Sequence, residues 1–376
     1  MRFLLNKGEE NMESLNEIRN EIDRADAAIA EAFCKRMQAV RQIAEYKKER
    51  GLPIFDAARE EELLRRAGER VEDEELRGYY QLLQRDLMQI SRVYQQKLLE
   101  GLKISFCGTQ GAFAALAVEK LFPEAAAVPY GDFASAYEAV VRGECDNAVL
   151  PVENSFAGEV GVVCDLLFSG PLYINRVMNL DVTQNLLGIK GCNLQTIKCV
   201  VSHPQALAQC AEFLKKRGYE QREFSNTALA AKYVAEQNDP TMAAIGTREA
   251  GELFGLETLA AGIQDSNRNS TRFVVLSRTE CSQPRREDDC FFMTFTVKNQ
   301  AGALAKAIRI IGDYGFNMRG LHSRPMRSLV WQYYFYLECE GNVRSPKGQK
   351  MLEELQTVCD QLKVVGSYSC REGETI

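Results

Sequence analysis

From Met12 to Arg50 the chain contains neither Pro nor Gly, and apolar residues return every three or four positions: Leu15, Ile18, Ile22, Ala25, Ile29, Phe33, Met37, Val40 and Ile43. Such positions collect on one side of a helix, so the spacing predicts a single helix over 12–50. Gly51-Leu52-Pro53 supplies its stop. The same periodicity predicts a second helix over 56–69 and a third over 74–99. The first would be roughly 58 Å long at about 1.5 Å per residue. A three-helix segment over 12–100 is too small to cover a stripe of that length, so the pattern implies a partner chain.

The grammar changes at 103. Short apolar runs at 103–107, 147–151, 198–202, 243–246 and 272–277 read as buried strands. Helical stretches fall between them, near 112–121, 133–142, 160–168, 204–217, 227–236 and 249–254. This α/β alternation over 103–280 fits two lobes around a cleft, a common place for a ligand. Residues 281–289 are polar, charged and interrupted by Pro284, as a linker is. Beyond it, strand 290–298, helix 302–314, strands 317–324 and 330–339, helix 346–361 and strand 363–369 give the βαββαβ order of a ferredoxin-like fold over 290–370. The expected chain is multidomain: all-α, then two-lobed α/β, then α+β.

Of the 376 residues, 46 are Lys or Arg and 52 are Asp or Glu, a formal net charge of -6. No segment is basic enough to leave the electrostatic footprint of a nucleic-acid binder. His203 and His322 stand too far apart for a short-spaced metal pair, which argues against zinc hydrolase chemistry. The 12 cysteines are scattered without a C-x-x-C pair and read as small buried hydrophobes of a reduced protein. No apolar leader follows Phe3-Leu4-Leu5, and no run reaches the ~18 apolar residues of a membrane span. The expectation is a cytoplasmic protein with no metal.

Arg36 and Lys47 are about three helical turns apart, so they share a face roughly 16 Å apart at the backbone, with room between for a small dicarboxylate. Arg19 lies roughly 25 Å before Arg36 on a straight helix, too far for the same small molecule. If both act, Arg19 serves the site of a partner subunit. Taken alone, such cations also fit a solvated helix face. Taken with Asp56, Arg59 and Glu60 in Pro53-Ile-Phe-Asp56-Ala-Ala-Arg59-Glu60, and with Ser91 and Gln95 on the third helix, the set resembles the all-helical chorismate mutases. The resemblance implies a Claisen rearrangement of chorismate to prephenate that needs no cofactor, nucleophile or proton transfer, only conformational selection and charge stabilisation. It assigns Arg36, and Arg19 of the other chain, to the substrate carboxylates, and Lys47 and Gln95 to the ether oxygen. Asp56 and Glu60 would orient the ring hydroxyl, with Arg59 and Ser91 completing the carboxylate cage.

In the middle segment, Pro151-Val-Glu-Asn154-Ser155-Phe-Ala-Gly158 ends a strand in polar groups where helix caps and anion-binding amides are expected. With Ser202-His203-Pro204-Gln205 and Asn269-Ser270-Thr271-Arg272-Phe273, it resembles prephenate dehydratase over 103–278. That family has two lobes like a periplasmic binding protein and an active site in the cleft; here the chain would cross near 181–184 and 263–268. The resemblance implies loss of CO2 and the ring hydroxyl from prephenate to give phenylpyruvate. Thr271 would be a positioned hydrogen-bond donor to the departing hydroxyl and Arg272 a carboxylate partner, with Asn154, Ser155 and Thr227 contacting substrate. His203, ahead of Pro204, reads as turn architecture. In the family's opening motif, here Phe106-Cys107-Gly108-Thr109-Gln110-Gly111-Ala112-Phe113-Ala114, Ala112 and Ala114 replace the usual hydroxyl residues, a variant similar to arogenate dehydratases; the attached mutase favours prephenate.

Gly302-Ala303-Leu304 and His322-Ser323-Arg324-Pro325 resemble the two signatures of the ACT domain, with His322 at a position usually held by Glu. The resemblance implies phenylalanine bound between two such domains by Gly302, Ala303, Leu304, Ser323 and Arg324, giving feedback inhibition. Together the segments resemble the bifunctional chorismate mutase–prephenate dehydratases, at least dimeric, acting on small molecules in phenylalanine synthesis without nucleic acid or membrane. The rival from another class is a non-catalytic amino-acid sensor.

Overall fold

The computed structural model describes residues 6–266, 269–280, 288–326 and 332–369. Trp331, most of the 281–289 linker, and Arg268 at one expected lobe crossing lie outside the described residues. The chain divides into two compact units between Gly101 and Leu102.

The first unit is three helices: α1 (Asn6–Arg50), α2 (Ala57–Glu69) and α3 (Glu74–Glu100). Asp56 caps α2 by accepting the Arg59 N–H at 3.0 Å, and Asp73 caps α3 through the Glu75 N–H at 2.9 Å. Val40 and Ala44 of α1, Ala67 of α2 and Met88 of α3 are buried. Leu15, Ile18, Ile22, Ile29 and Phe33 on α1, and Leu76, Tyr79, Leu82 and Leu83 on α3, stay exposed. The apolar stripe outruns the helices available to cover it.

In the second unit, β1 (Lys103–Cys107), α4 (Phe113–Leu121), β2 (Ala126–Tyr130), α5 (Phe133–Val141), β3 (Asn147–Asn154), β4 (Gly158–Glu159), α6 (Gly161–Ser169) and β5 (Tyr173–Asp181) form the first lobe. The second lobe holds β6 (Asn185–Gly188), β7 (Cys199–Ser202), α7 (Pro204–Gln209), α8 (Ala211–Arg217), β8 (Glu220–Glu223), α9 (Thr227–Gln237), β9 (Met242–Gly246), α10 (Arg248–Phe254) and β10 (Glu257–Ala260). The chain then returns as β11 (Ser270–Ser277) to the middle of the first sheet, ordered β2-β1-β3-β11-β5, antiparallel to both β3 and β5. The second sheet is ordered β10-β6-β9-β7-β8. The chain passes from the first lobe to the second at 182–184 and returns after Ala260.

After these come β12 (Cys290–Thr296), α11 (Ala303–Asp313), β13 (Asn317–Pro325), β14 (Tyr333–Glu340), α12 (Pro346–Gln356) and β15 (Gln361–Tyr368), in a sheet ordered β13-β14-β12-β15. This is the ferredoxin-like arrangement. Strand alternation gives the sheet two apolar faces. Phe291, Met293, Phe295, Leu337 and Cys339 pack with α11 and α12. Phe292, Tyr334, Tyr336, Val365 and Tyr368 join the core of the first lobe. A Cβ on Gly366 would fall 1.9 Å from the Ile174 carbonyl oxygen, so only glycine permits this approach of β15 to β5. The sheet's second apolar face makes it part of the same compact unit as the first lobe.

Nine cysteines are free among the described residues, and burial pushes Cys164 and Cys210 up to about 12, as inert core thiols require. Cys290 is disulfide-bonded, which corrects the reading of every cysteine as a thiol.

Candidate active sites

On α1, Arg36, Val40, Ala44 and Lys47 recur at helical spacing toward α3. The Arg36 guanidinium donates to the Leu87 carbonyl at 3.2 Å and to the Ser91 hydroxyl. Partial burial depresses its pKa. One turn beyond Ser91, buried Gln95 donates through Nε2 to the Ser91 carbonyl at 3.3 Å, while its Oε1 is buried with no hydrogen-bond partner. Glu60 reaches across from α2 to pair with Arg92, beside Ser91. Lys47 spans the turn after α1 and donates to the Ile54 carbonyl at 2.5 Å.

Arg36, Ser91 and Gln95 are thus brought together, with Glu60 next to them. Asp56 is spent on capping α2, and Arg59 turns to Glu62 at 2.6 Å with its side chain half exposed. Arg59 therefore does not join the carboxylate cage in this arrangement: the spacing from Glu60 puts it on the solvent side of α2. Arg19 lies on the exposed part of α1. The Glu60–Arg92 pair was not expected; nothing in a sequence aligns a residue of one helix with one of another.

Between the two lobes of the second unit lies a cavity of about 410 Å³. Thr271 and Phe273 line it from β11, Asn154 from the end of β3, His203, Gln205 and Gln209 from around α7, and Asn226 and Thr227 from the start of α9. Asn154 is its hub. The Oδ1 of Asn154 accepts the backbone N–H groups of Phe156 at 3.0 Å and Ala157 at 2.9 Å. These partners can only donate, so the amide orientation is fixed. Its Nδ2 then donates to Thr271 Oγ1 at 2.9 Å and to Asn269 Oδ1 at 2.9 Å. Thr271 accepts from Asn154, which leaves its own proton to be donated elsewhere.

Two expected substrate contacts are corrected. Arg272 points away from the cleft, because successive strand residues alternate faces; it pairs with Glu338 at 2.5 Å and lies 3.6 Å from Glu153. Ser155 folds onto β11, its Oγ accepting the Ser270 N–H at 2.9 Å, and is not among the residues lining the cavity. Asn154 itself is buried with its amide engaged, so it orients Thr271. His203 caps α7, accepting the Gln205 N–H at 3.2 Å.

No Lys or Arg is found among the described residues lining the cavity. Instead α4 and α6 begin at its wall, and neither Ala112 nor Val160 makes a side-chain capping bond. Uncapped helix N-termini are anion sites by themselves. Ala112, at the start of α4, offers no side-chain oxygen to cap its first turn. Gln205 and Gln184 were not singled out from sequence. Gln205 reaches across the cleft to Asn154 Oδ1 at 3.4 Å, and Gln184 donates to Gln209 at 3.0 Å with its own Oε1 buried and unpartnered. Gln205 stands inside the Ser-His-Pro-Gln motif, which was the available signal.

In the C-terminal part, Gly302 takes φ +82° to open α11, and Leu304 lines a cavity of about 110 Å³ with Val297, Gln300, Tyr333 and Phe335. Ser323 faces the same side as its cross-strand neighbour Phe335. Arg324 does not join this group. Alternation places it on the opposite face, where it binds Asp165 and Glu159, each at 2.9 Å. His322 shares that face, 3.5 Å from Glu159. Among the described residues, no three His, Cys, Asp or Glu side chains gather as metal ligands would.

Residues 104–281 match the family model of prephenate dehydratase, and residues 18–96 that of chorismate mutase type II. The chain is 33% identical over 359 residues to a bifunctional chorismate mutase/prephenate dehydratase of Neisseria gonorrhoeae, covering 93% of this chain and 95% of the relative. It is 34% identical over 275 residues to arogenate dehydratase/prephenate dehydratase 2 of Arabidopsis thaliana, covering 71% and 72%. Among solved structures, the prephenate dehydratase of Arthrobacter aurescens in complex with L-Phe superposes with a TM-score of 0.67 at 27% identity, covering 73% of this chain and 92% of that one.

Proposed function

The chain belongs to the bifunctional chorismate mutase/prephenate dehydratases, and from that premise we propose how its residues divide the two reactions and how an amino acid restrains them. It rearranges chorismate to prephenate and converts prephenate to phenylpyruvate with loss of water and CO2.

For the mutase, Arg36 and Lys47 hold and polarise a dianion between them. Rotation of the Gln95 amide would turn Nε2 toward the position of its unpartnered Oε1 and supply a donor to the ether oxygen as charge builds there. The exposed stripe of α1 supports a second copy of this chain as the missing cover, bringing its Arg19 to this site. Mixing inactive Arg19→Ala with inactive Lys47→Ala subunits should then restore part of the mutase activity, because one composite site in the mixed dimer holds both wild-type residues. Confirmed mixed dimers without recovery would remove Arg19 from the partner's site.

For the dehydratase, the carrying observation is the fixed Asn154 amide, which occupies a lone pair of Thr271 and directs the Thr271 proton to a ligand in the cleft. Aromatisation drives the reaction, so a well-aimed donor to the leaving hydroxyl is the chief requirement. The substrate carboxylates lie toward the start of α4, which has no side-chain cap. Thr227 adds a hydroxyl from the second lobe. A second reading, arogenate as an additional substrate, is favoured by the unpartnered Gln184 Oε1, an acceptor suited to an ammonium group. Comparing kcat/KM for both compounds decides between them.

The C-terminal sheet acts as an ACT domain that binds phenylalanine. Gly302, Ala303, Leu304 and Ser323 form one half of the site and a second copy completes it; the L-Phe in the Arthrobacter relative supports this reading. Arg324 is assigned to the contact with the first lobe. His322→Glu would set a second carboxylate beside Glu159, so it should loosen that contact instead of tightening phenylalanine binding. A cytoplasmic location completes the proposal.

A further inference from the structure

Behind the catalytic hydroxyl the chain builds a second polar cluster, centred on buried Glu338, that the reaction does not use. In the β3–β11 register, Thr271 lies opposite Asn154 and Arg272 opposite Glu153. The Arg272–Glu153 pair is therefore the reverse side of the Thr271–Asn154 pair. Arg272 Nε donates to Asn179 of β5 at 3.3 Å, and its Nη1 reaches Glu338 of β14 at 2.5 Å. One guanidinium thus ties three strands of the first lobe to the C-terminal sheet, one residue from Thr271. Glu338 is only 5% exposed, receives the Tyr368 hydroxyl on its other oxygen, and has Arg319 at 3.8 Å. The same sheet also grips the segment after Asn154. Arg324 and Tyr334 bind Asp165 on α6, Arg324 binds Glu159, and Lys363 donates to the Leu167 carbonyl at the end of α6 at 3.1 Å.

Burial opposes the Arg272 charge, but Glu338 and its neighbours hold the guanidinium pKa above its ordinary value. Burial, then Glu338, pushes the Tyr368 phenol far up, so it stays a donor.

We propose that Arg272 and Glu338 are positioning residues of the dehydratase: the ion pair between them sets the β11 strand so that Thr271 meets Asn154, and makes the C-terminal sheet part of the catalytic scaffold. The inference rests on Thr271 being the proton donor. It also gives an effector bound to that sheet a short physical route to the reacting group, because any shift of β14 pulls on the residue next to Thr271. A ligand that binds two positions of the sheet unequally changes the donor's geometry.

The test uses the full chain. Glu338→Gln keeps the shape of the side chain and removes its charge. It should lower dehydratase kcat about tenfold, since small misplacements of a donor carry penalties of that order. KM for prephenate and chorismate turnover should stay within about twofold of wild type. In a Thr271→Val background the same substitution should cost nothing more, because the group it positions is gone. Tyr368→Phe, which retains the ring stacked on Phe292, should cause a smaller loss of kcat with the same KM, and carries the test if Glu338→Gln does not fold. Wild-type kcat in Glu338→Gln, or in Tyr368→Phe where it stands alone, overturns the proposal, as does an equal loss in the presence and absence of the Thr271 hydroxyl. Full activity of Thr271→Val itself would instead overturn the donor assignment on which it rests.

Discussion

Replacing Arg36 with alanine is expected to lower chorismate turnover by about two to three orders of magnitude while dehydration of supplied prephenate stays near wild type. The reacting system is a dianion whose ether oxygen gains charge as the bond breaks, and there is no proton or nucleophile to share the work. A guanidinium withdrawn from water onto Ser91 and Leu87 interacts with that charge more strongly than a solvated one. Its removal also takes away the charged link between α1 and Ser91 of α3. Arg36→Lys separates the two effects, keeping charge but losing the planar guanidinium, and should fall between wild type and alanine. The dehydratase is insulated because it belongs to a different compact unit. Initial rates with each substrate, measured on the same preparation, check both halves; wild-type chorismate turnover in Arg36→Ala would place the anion site elsewhere.

Thr271→Val should reduce dehydratase kcat at least about a hundredfold with little change in KM, the pattern of an interaction made in the transition state. Valine preserves the shape of the strand and removes the hydroxyl that the Asn154 amide orients. Asn154→Asp gives the directional version of the experiment. A carboxylate there cannot donate to Thr271 and instead attracts the Thr271 proton, so kcat should fall although the threonine is intact. A retained kcat in Thr271→Val would transfer the donor role to another hydroxyl on the cleft wall, with Thr227 the first to test.

Local chemistry was legible wherever it depended on spacing along one element. The long helix, its stop at Gly51, the turn at His203-Pro204 and the βαββαβ order all follow from short-range signals. Strand β8, Glu220–Glu223, was not legible, because all four residues are exposed at a sheet edge and carry no apolar pattern. Helix 204–217 is two helices: the carboxylate of Asp265, far along the chain, takes the Glu212 N–H and starts α8 anew after Cys210. The site residues divide the same way. Thr271 and Arg272 were read as one motif, yet a strand sends neighbours to opposite faces, and the partner waiting for Arg272 belongs to β14. Arg324 was separated from Ser323 by the same alternation. Pairings between distant elements, Glu60 with Arg92 or Arg324 with Asp165, leave no trace in local sequence.

The central claim is that one chain carries both reactions in succession. Its most direct test is to add chorismate alone to the purified full-length protein and follow chorismate, prephenate and phenylpyruvate by chromatography over time. Prephenate should rise first and phenylpyruvate follow at its expense, with no added metal or cofactor. Unchanged chorismate, or prephenate that accumulates without phenylpyruvate, would contradict it.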